Sequence, residues 1–132
     1  MDLNHSDPSA GDMPEEYRPY FQGVGRFQQL PSCFGDSPSA FMVHFEAGAR
    51  TRPHIHHSGQ MLYIADGEGI VADGKGRHRV RPGDVVTVRP DEWHWHGATP
   101  ESPMSHFTVQ VTRAGDIEWD VEERDWATGY GG

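Results

Sequence analysis

Imidazoles recur in this chain at intervals that suit metal chemistry. The run His54-Ile-His56-His57-Ser-Gly-Gln60 is answered further along by His94-Trp-His96. In an extended segment side chains alternate between faces, so His54 and His56 share one face, as do His94 and His96. Two strand-borne imidazole pairs able to converge, with the side-chain carbonyl of Gln60 nearby, suit a divalent cation; Mn, Fe, Ni and Zn all accept imidazole. His57 has the opposite parity and is expected to point away, and His5 and His78 read as surface residues. A polar, solvated strand pair is the alternative. It fits the set His54, His56, Gln60 and His94 poorly, because burying three imidazoles without a shared partner costs several kcal/mol.

Further groups could act beside such an ion. His96 shares parity with His94, and on the last long strand His106, Thr108 and Gln110 alternate with Phe107, Val109 and Val111. The polar set is either the solvent face of an antiparallel sheet or an inward face turned toward the metal. A neutral imidazole beside a dication has its protonated form disfavoured and can accept a proton at neutral pH, which makes His96 and His106 the candidate general bases. Thr51 offers a hydroxyl at the pocket edge, Gln110 a polar contact, and Phe41 and Val43 share a face that could wall a substrate. Core packing accounts equally well for Phe41 and Val43, with Met42 and His44 on the other face. Trp95 has opposite parity to the ligands and reads as barrel packing or a subunit interface. Asp73-Gly-Lys-Gly is a hairpin turn, since no helix follows it, and Cys33 reads as an ordinary free thiol.

The elements that must hold these residues are strands. Expected strands are 41–46, 50–56, 61–66, 68–72, 77–81, 84–88, 94–98 and 105–112, with Asp66-Gly67 and Asp73-Gly74 as hairpin signals. No segment keeps a helical apolar period over three turns, and short strands with frequent turns imply an all-β barrel or sandwich. The stretch 116–126 is acidic and aromatic and is expected to hold a last strand and a helical turn. The polar segment 1–12 is expected to be disordered, residues 13–126 to form one domain with a barrel core at about 35–112, and 127–132 to be a flexible tail.

Composition narrows the function classes. The chain has 132 residues, 35% hydrophobic, and a formal charge of −9. There is no basic stripe to offset phosphates, so neither nucleic acid nor an anionic membrane is an expected partner. No apolar run is long enough to span a bilayer. The N-terminal residues lack the pattern of a secretory signal, and one cysteine cannot form an internal bridge, so a cytoplasmic location is the expectation.

Two motifs carry a resemblance. Gly48, five residues, His54, one residue, His56, three residues, Gln60, six residues, Gly67 resembles the first motif of the cupin superfamily, with Gln60 where glutamate is usual. Gly83-Asp-Val-Val-Thr-Val-Arg-Pro-Asp-Glu-Trp-His94 resembles the second, with Arg89 for the usual proline, Asp91 for the usual glycine and, later, Ala98 for the usual asparagine. Gly48-Ala-Arg-Thr, Gly59-Gln60, His94-Trp-His-Gly-Ala-Thr-Pro and Met104-Ser-His106 are similar to small single-domain cupins related to carboxymuconolactone-decarboxylase-associated cupins and to bacterial cupin hydroxynitrile lyases. The resemblance implies a small antiparallel β-barrel or jelly roll, a homodimer, and one divalent metal per chain, manganese first, with Fe, Ni or Zn as alternatives. Its ligands would be His54, His56, Gln60 and His94.

Three neutral imidazoles and an amide leave the metal's double charge uncancelled, which strengthens it as a Lewis acid. The implied activity is that of a metal-dependent enzyme on a small hydroxylated or carbonyl compound, with a hydroxynitrile lyase-like reaction first. A dioxygenase-type cupin and a non-catalytic small-ligand-binding cupin are the alternatives. The inward polar set His96, His106 and Gln110 separates an enzyme from a purely structural metal site, which would not need it.

Overall fold

The structure, a computed structural model, describes residues 1–124. A short 3-10 helix at Glu15–Tyr20 follows Pro14. The strands then run in chain order: β1 (Phe21–Gln22), β2 (Gly25–Gln29), β3 (Ser39–Phe45), β4 (Arg50–Thr51), β5 (Ile55–His56) and β6 (Gln60–Gly67). After them come β7 (Gly69–Asp73), β8 (Gly76–Val80), β9 (Val85–Val88), β10 (Trp95–Ala98), β11 (Met104–Gln110) and β12 (Ile117–Glu118). One five-stranded sheet has the order β2-β3-β11-β6-β9, a second β1-β4-β10-β7-β8, and β12 pairs with β5 apart from both. All pairings are antiparallel. This is the jelly roll of a single-domain all-β protein.

Period-two alternation sorts the faces. On β3, Phe41, Val43 and Phe45 join Ile64, Val80, Ala98 and Met104 in the core. On β11, His106 lies opposite Val43 and Thr108 opposite Phe41, so the polar set 106, 108 and 110 points into the same interior. Thr108 and His106 are both fully buried. The inward reading of that strand therefore holds. A register shift between Ser105 and His106 lets β6 present Ile64 inward while Asp66 faces out. His44, on the outward face, is a satisfied buried histidine: Ser105 Oγ lies 2.6 Å from its Nδ1 and Gln28 Oε1 2.8 Å from its Nε2.

The expected strand 50–56 is two strands. Pro53 has no amide proton to give to a ladder, and the chain leaves β4, beside β10, to enter β5, beside β12. At Gly97 a Cβ would sit 2.4 Å from Arg50 Cβ and 2.5 Å from Ala49 O, so glycine is what lets β10 lie against β4. Strands β1 and β2 were not foreseen. Trp95 is fully buried, with the Arg50 guanidinium 4.6 Å from its ring centroid, and so packs within the chain.

Near the N-terminus, Asp12 bridges Phe27, and Gln28 bonds to the His5 carbonyl and the Asp7 amide. The tail 127–132 and the end of the acidic stretch lie outside the described residues. Among the described residues, no helix is long and apolar enough to cross a membrane.

Candidate metal centre

His54 and His94 face each other across an isolated bridge: His54 N donates to His94 O (2.9 Å) and His94 N to His54 O (3.1 Å). Directly opposed residues carry their side chains to the same side, and the two rings lie 4.3 Å apart. His56 follows on β5, which β12 clamps from the far side through the pair Ile117 and His56. One ligand nitrogen from each of His54, His56 and His94 falls within 4.8 Å of the others. All three are buried.

The loop before His94 carries Asp91 where the cupin pattern usually has glycine. Asp91 takes a left-handed conformation (φ 64°), which aspartate tolerates better than most residues. Its amide donates to His56 O (2.9 Å), and its carboxylate lies 2.7 Å from His57 Nδ1. His57 is thus held outward and exposed, as its parity requires.

Backbone carbonyls fix two of the three rings. His54 Nδ1 lies 2.7 Å from Arg52 O and His94 Nδ1 lies 3.0 Å from Glu92 O. Each Nδ1–H therefore has an acceptor, and each Nε2 is left as a lone-pair donor, the tautomer that metal-binding imidazoles adopt. Neither ring nitrogen of His56 meets a hydrogen-bond partner among the described residues. Burial, reinforced by the neighbouring His94, pushes His56 down to about 4. Burial likewise takes His54 well below the usual histidine range, with His94 and His56 adding to the effect, and lowers His94. At neutral pH all three are uncharged, as metal ligands must be.

Gln60 completes the set. Gly59 before it has φ 82°, and a Cβ there would meet Val88 O at 2.9 Å, so the turn requires glycine. Gln60 Oε1 sits 3.2 Å from His94 Nε2, and Gln60 Nε2 donates to Gln110 Oε1 at 3.0 Å. A neutral His94 has one N–H, yet an oxygen faces each of its nitrogens: Glu92 O on one side, Gln60 Oε1 on the other. One acceptor pair is left without a proton. A cation beside Nε2 and Oε1 resolves this, and neighbouring ligands of one ion lie about 3 Å apart when each bond is about 2.1 Å. The orphaned nitrogens of His56 point the same way. The residues present fit a divalent metal.

His96 and His106 form a pair next to this cluster. His96 Nδ1 lies 3.0 Å from His106 Nε2, and His106 Nδ1 lies 2.8 Å from Thr108 Oγ1. Burial drives His106 down to about 3, and His96, buried and next to His106, well below the usual range. Both are neutral. Thr51 Oγ1 accepts from the His96 amide (3.2 Å) and so helps fix that strand as well as lining the cavity.

The cavity measures about 530 Å³, ample for a small ligand. His54, His56, Gln60, His96, His106 and Gln110 line it together with Thr51, Phe41 and Val43, the last two also belonging to the core. Every residue expected at the site lines it except His94, which joins the cluster through its contact with His54. Sequence reasoning missed the aromatic contribution from both ends of the chain. Tyr17 stacks on Phe27 (5.6 Å), and Trp119 stacks on Tyr20 (4.4 Å) with its ring 4.5 Å from that of His54. The two tyrosines at 17 and 20, three apart, were the available signal. Asp116, buried, bonds to Ser58 and Arg113 and anchors the segment that carries Trp119.

The family profile described as Cupin domain matches residues 41–110. The (R)-mandelonitrile lyase of Granulicella tundricola is 42% identical over 79 residues, covering 58% of this chain and 60% of that protein. The match thus spans less than two thirds of that relative's length. A solved structure of a cupin-like protein from Thermotoga maritima superposes with TM-score 0.76 at 30% identity, covering 99% of each chain. The polyketide cyclase RemF from Streptomyces resistomycificus superposes with TM-score 0.67 at 15% identity, over 76% of this chain and 74% of that one, a likeness of fold alone.

Proposed function

Because the chain belongs to the cupin family, we propose that the histidine cluster is the divalent-metal centre of a lyase that splits a small α-hydroxynitrile into an aldehyde and hydrogen cyanide. The observation that carries the proposal is the neutral His96–His106 pair, hydrogen-bonded at 3.0 Å in the same cavity as the metal-ligand set. A structural metal site has no use for it. The relative of Granulicella tundricola, whose name gives mandelonitrile as its substrate, supports the choice of reaction.

His54, His56, Gln60 and His94 would hold the metal, with manganese proposed, and the ion would supply a Lewis acid for the substrate hydroxyl. His96 Nδ1 is engaged with His106, so His96 Nε2 is the atom left to take the hydroxyl proton. His96 Nδ1–H donates to His106 Nε2 and His106 Nδ1–H donates to Thr108 Oγ1, a chain that fixes the His96 tautomer and leaves its Nε2 free to take the proton. Loss of that proton lets the carbonyl form while the carbon–carbon bond pair departs with cyanide. The proton then returns from His96 to cyanide, so no oxidant or reductant is needed. Phe41 and Val43 offer apolar walls to the substrate's hydrocarbon part and help keep water away from the proton transfer.

The test is benzaldehyde release from mandelonitrile by the Mn²⁺-loaded protein. His96→Ala with His106→Ala is expected to lower kcat by about a hundredfold or more. A rate equal to wild type in that variant, or in His54→Ala with His94→Ala, contradicts the proposal.

A further inference from the structure

We propose that Gln110 is a positioning residue that aims the Gln60 amide, holding its oxygen toward the metal position. This rests on the reading of the cluster as a metal centre. Of the four donors, only Gln60 has two ends of similar shape and opposite character. Its oxygen can bind a cation; its NH₂ group repels one. Two of the three imidazoles have their useful nitrogens selected by backbone carbonyls, Arg52 O for His54 and Glu92 O for His94. For Gln60 the acceptor in the corresponding place is a side chain. Gln60 Nε2 donates to Gln110 Oε1 at 3.0 Å, while Oε1 of Gln60 is turned to His94 Nε2.

The fold supports this division of labour. Gln60 and Gln110 are directly opposed in the ladder between β6 and β11, and both side chains lie on the inner face. With Oε1 given to the metal, the Gln60 NH₂ group, half-buried, needs an acceptor, and Gln110 provides it. A glutamate at 60 would remove the need, because both ends of a carboxylate are oxygens. Glutamine at 60 and an acceptor at 110 are therefore coupled. This also moves Gln110 from a substrate contact to a partner of the ligand set.

Mn²⁺ titrations by calorimetry on four proteins test the coupling: wild type, Gln110→Met, Gln60→Glu and the double variant. Methionine keeps the length of Gln110 and lacks its acceptor; Gln110→Leu is run alongside so that the result does not hang on the folding of one variant. Loss of the acceptor is expected to weaken Mn²⁺ binding about tenfold or more when residue 60 is glutamine. It should change the affinity by less than about twofold when residue 60 is glutamate. Equal weakening in both backgrounds indicates a merely structural role and overturns the inference, as does no weakening in either. Wild-type protein that binds no Mn²⁺ overturns the metal reading as well. Wild-type binding left intact in Gln110→Met overturns only the role of Gln110.

Discussion

The side-chain oxygen of Gln60 and Nε2 of His94 lie 3.2 Å apart, on the far side of an imidazole whose other nitrogen already faces the Glu92 carbonyl. One ring proton cannot serve both oxygens, and burial opposes a second proton on His94. In the proposed metal centre this oxygen and this nitrogen are two ligands of one cation, and several consequences can be measured.

Removing a ligand should remove both the metal and its stabilisation. A ligand at a hundred times its Kd stabilises the native state by about 2.7 kcal/mol. Thermal unfolding of wild type with saturating Mn²⁺ should shift upward by several degrees. His94→Ala should show no shift and no bound manganese by elemental analysis. A full shift in His94→Ala would mean that the ion binds elsewhere.

Stability of the metal-free protein should fall on acidification. His106 is held down to about 3 by burial, against an ordinary value of 6.5. The unfolded chain therefore binds the proton more readily than the native one between those values. The contribution is fully present above about 6.5 and is lost as the pH falls toward 3. At pH 5 the loss from this one group is about 2 kcal/mol. Urea unfolding at pH 7.5 and 5, in wild type and in His106→Asn, checks it: the variant should show the flatter dependence.

Thr108 closes the hydrogen-bond chain behind His106 at 2.8 Å. Thr108→Val conserves the shape and deletes the hydroxyl, so kcat for mandelonitrile should fall roughly tenfold with little change in KM, in line with the loss of about one hydrogen bond. An unchanged kcat would take Thr108 out of the hydrogen-bond chain that sets the His96 tautomer.

Trp119 lies against both Tyr20 and the His54 ring. Trp119→Ala should raise KM for an aromatic hydroxynitrile about five- to tenfold, the scale of a lost aromatic contact, and leave kcat nearly unchanged. A matching loss for a small aliphatic substrate would show that Trp119 supports the strand rather than the substrate.

The site was legible where it depends on alternation, and hidden where it depends on distant segments. Parity alone separates His57 from His54 and His56 and puts His106, Thr108 and Gln110 on one face; which way that face turns is settled by the register, with His106 opposite Val43 and Thr108 opposite Phe41. The break at Pro53 was readable from its missing amide, which the expected strand 50–56 did not take into account. Strands β1 and β2 escaped because they are short, and β2 shows Arg26, Gln28 and Gln29 around a single aromatic, Phe27. The wall made by Tyr17 and Trp119, with Tyr20 stacked behind Trp119, needs contacts between distant segments of the chain, which no local pattern announces. Asp91 was marked as a departure from glycine, and its backbone is left-handed, the conformation that glycine adopts most readily.

The most direct measurement is anomalous diffraction at the manganese edge from crystals grown with Mn²⁺. One peak bonded by nitrogens of His54, His56 and His94 and by Oε1 of Gln60, at about 2.1–2.3 Å, is the predicted result. Absence of a peak at that position, or a peak with the Gln60 amide turned away from it, would contradict the account.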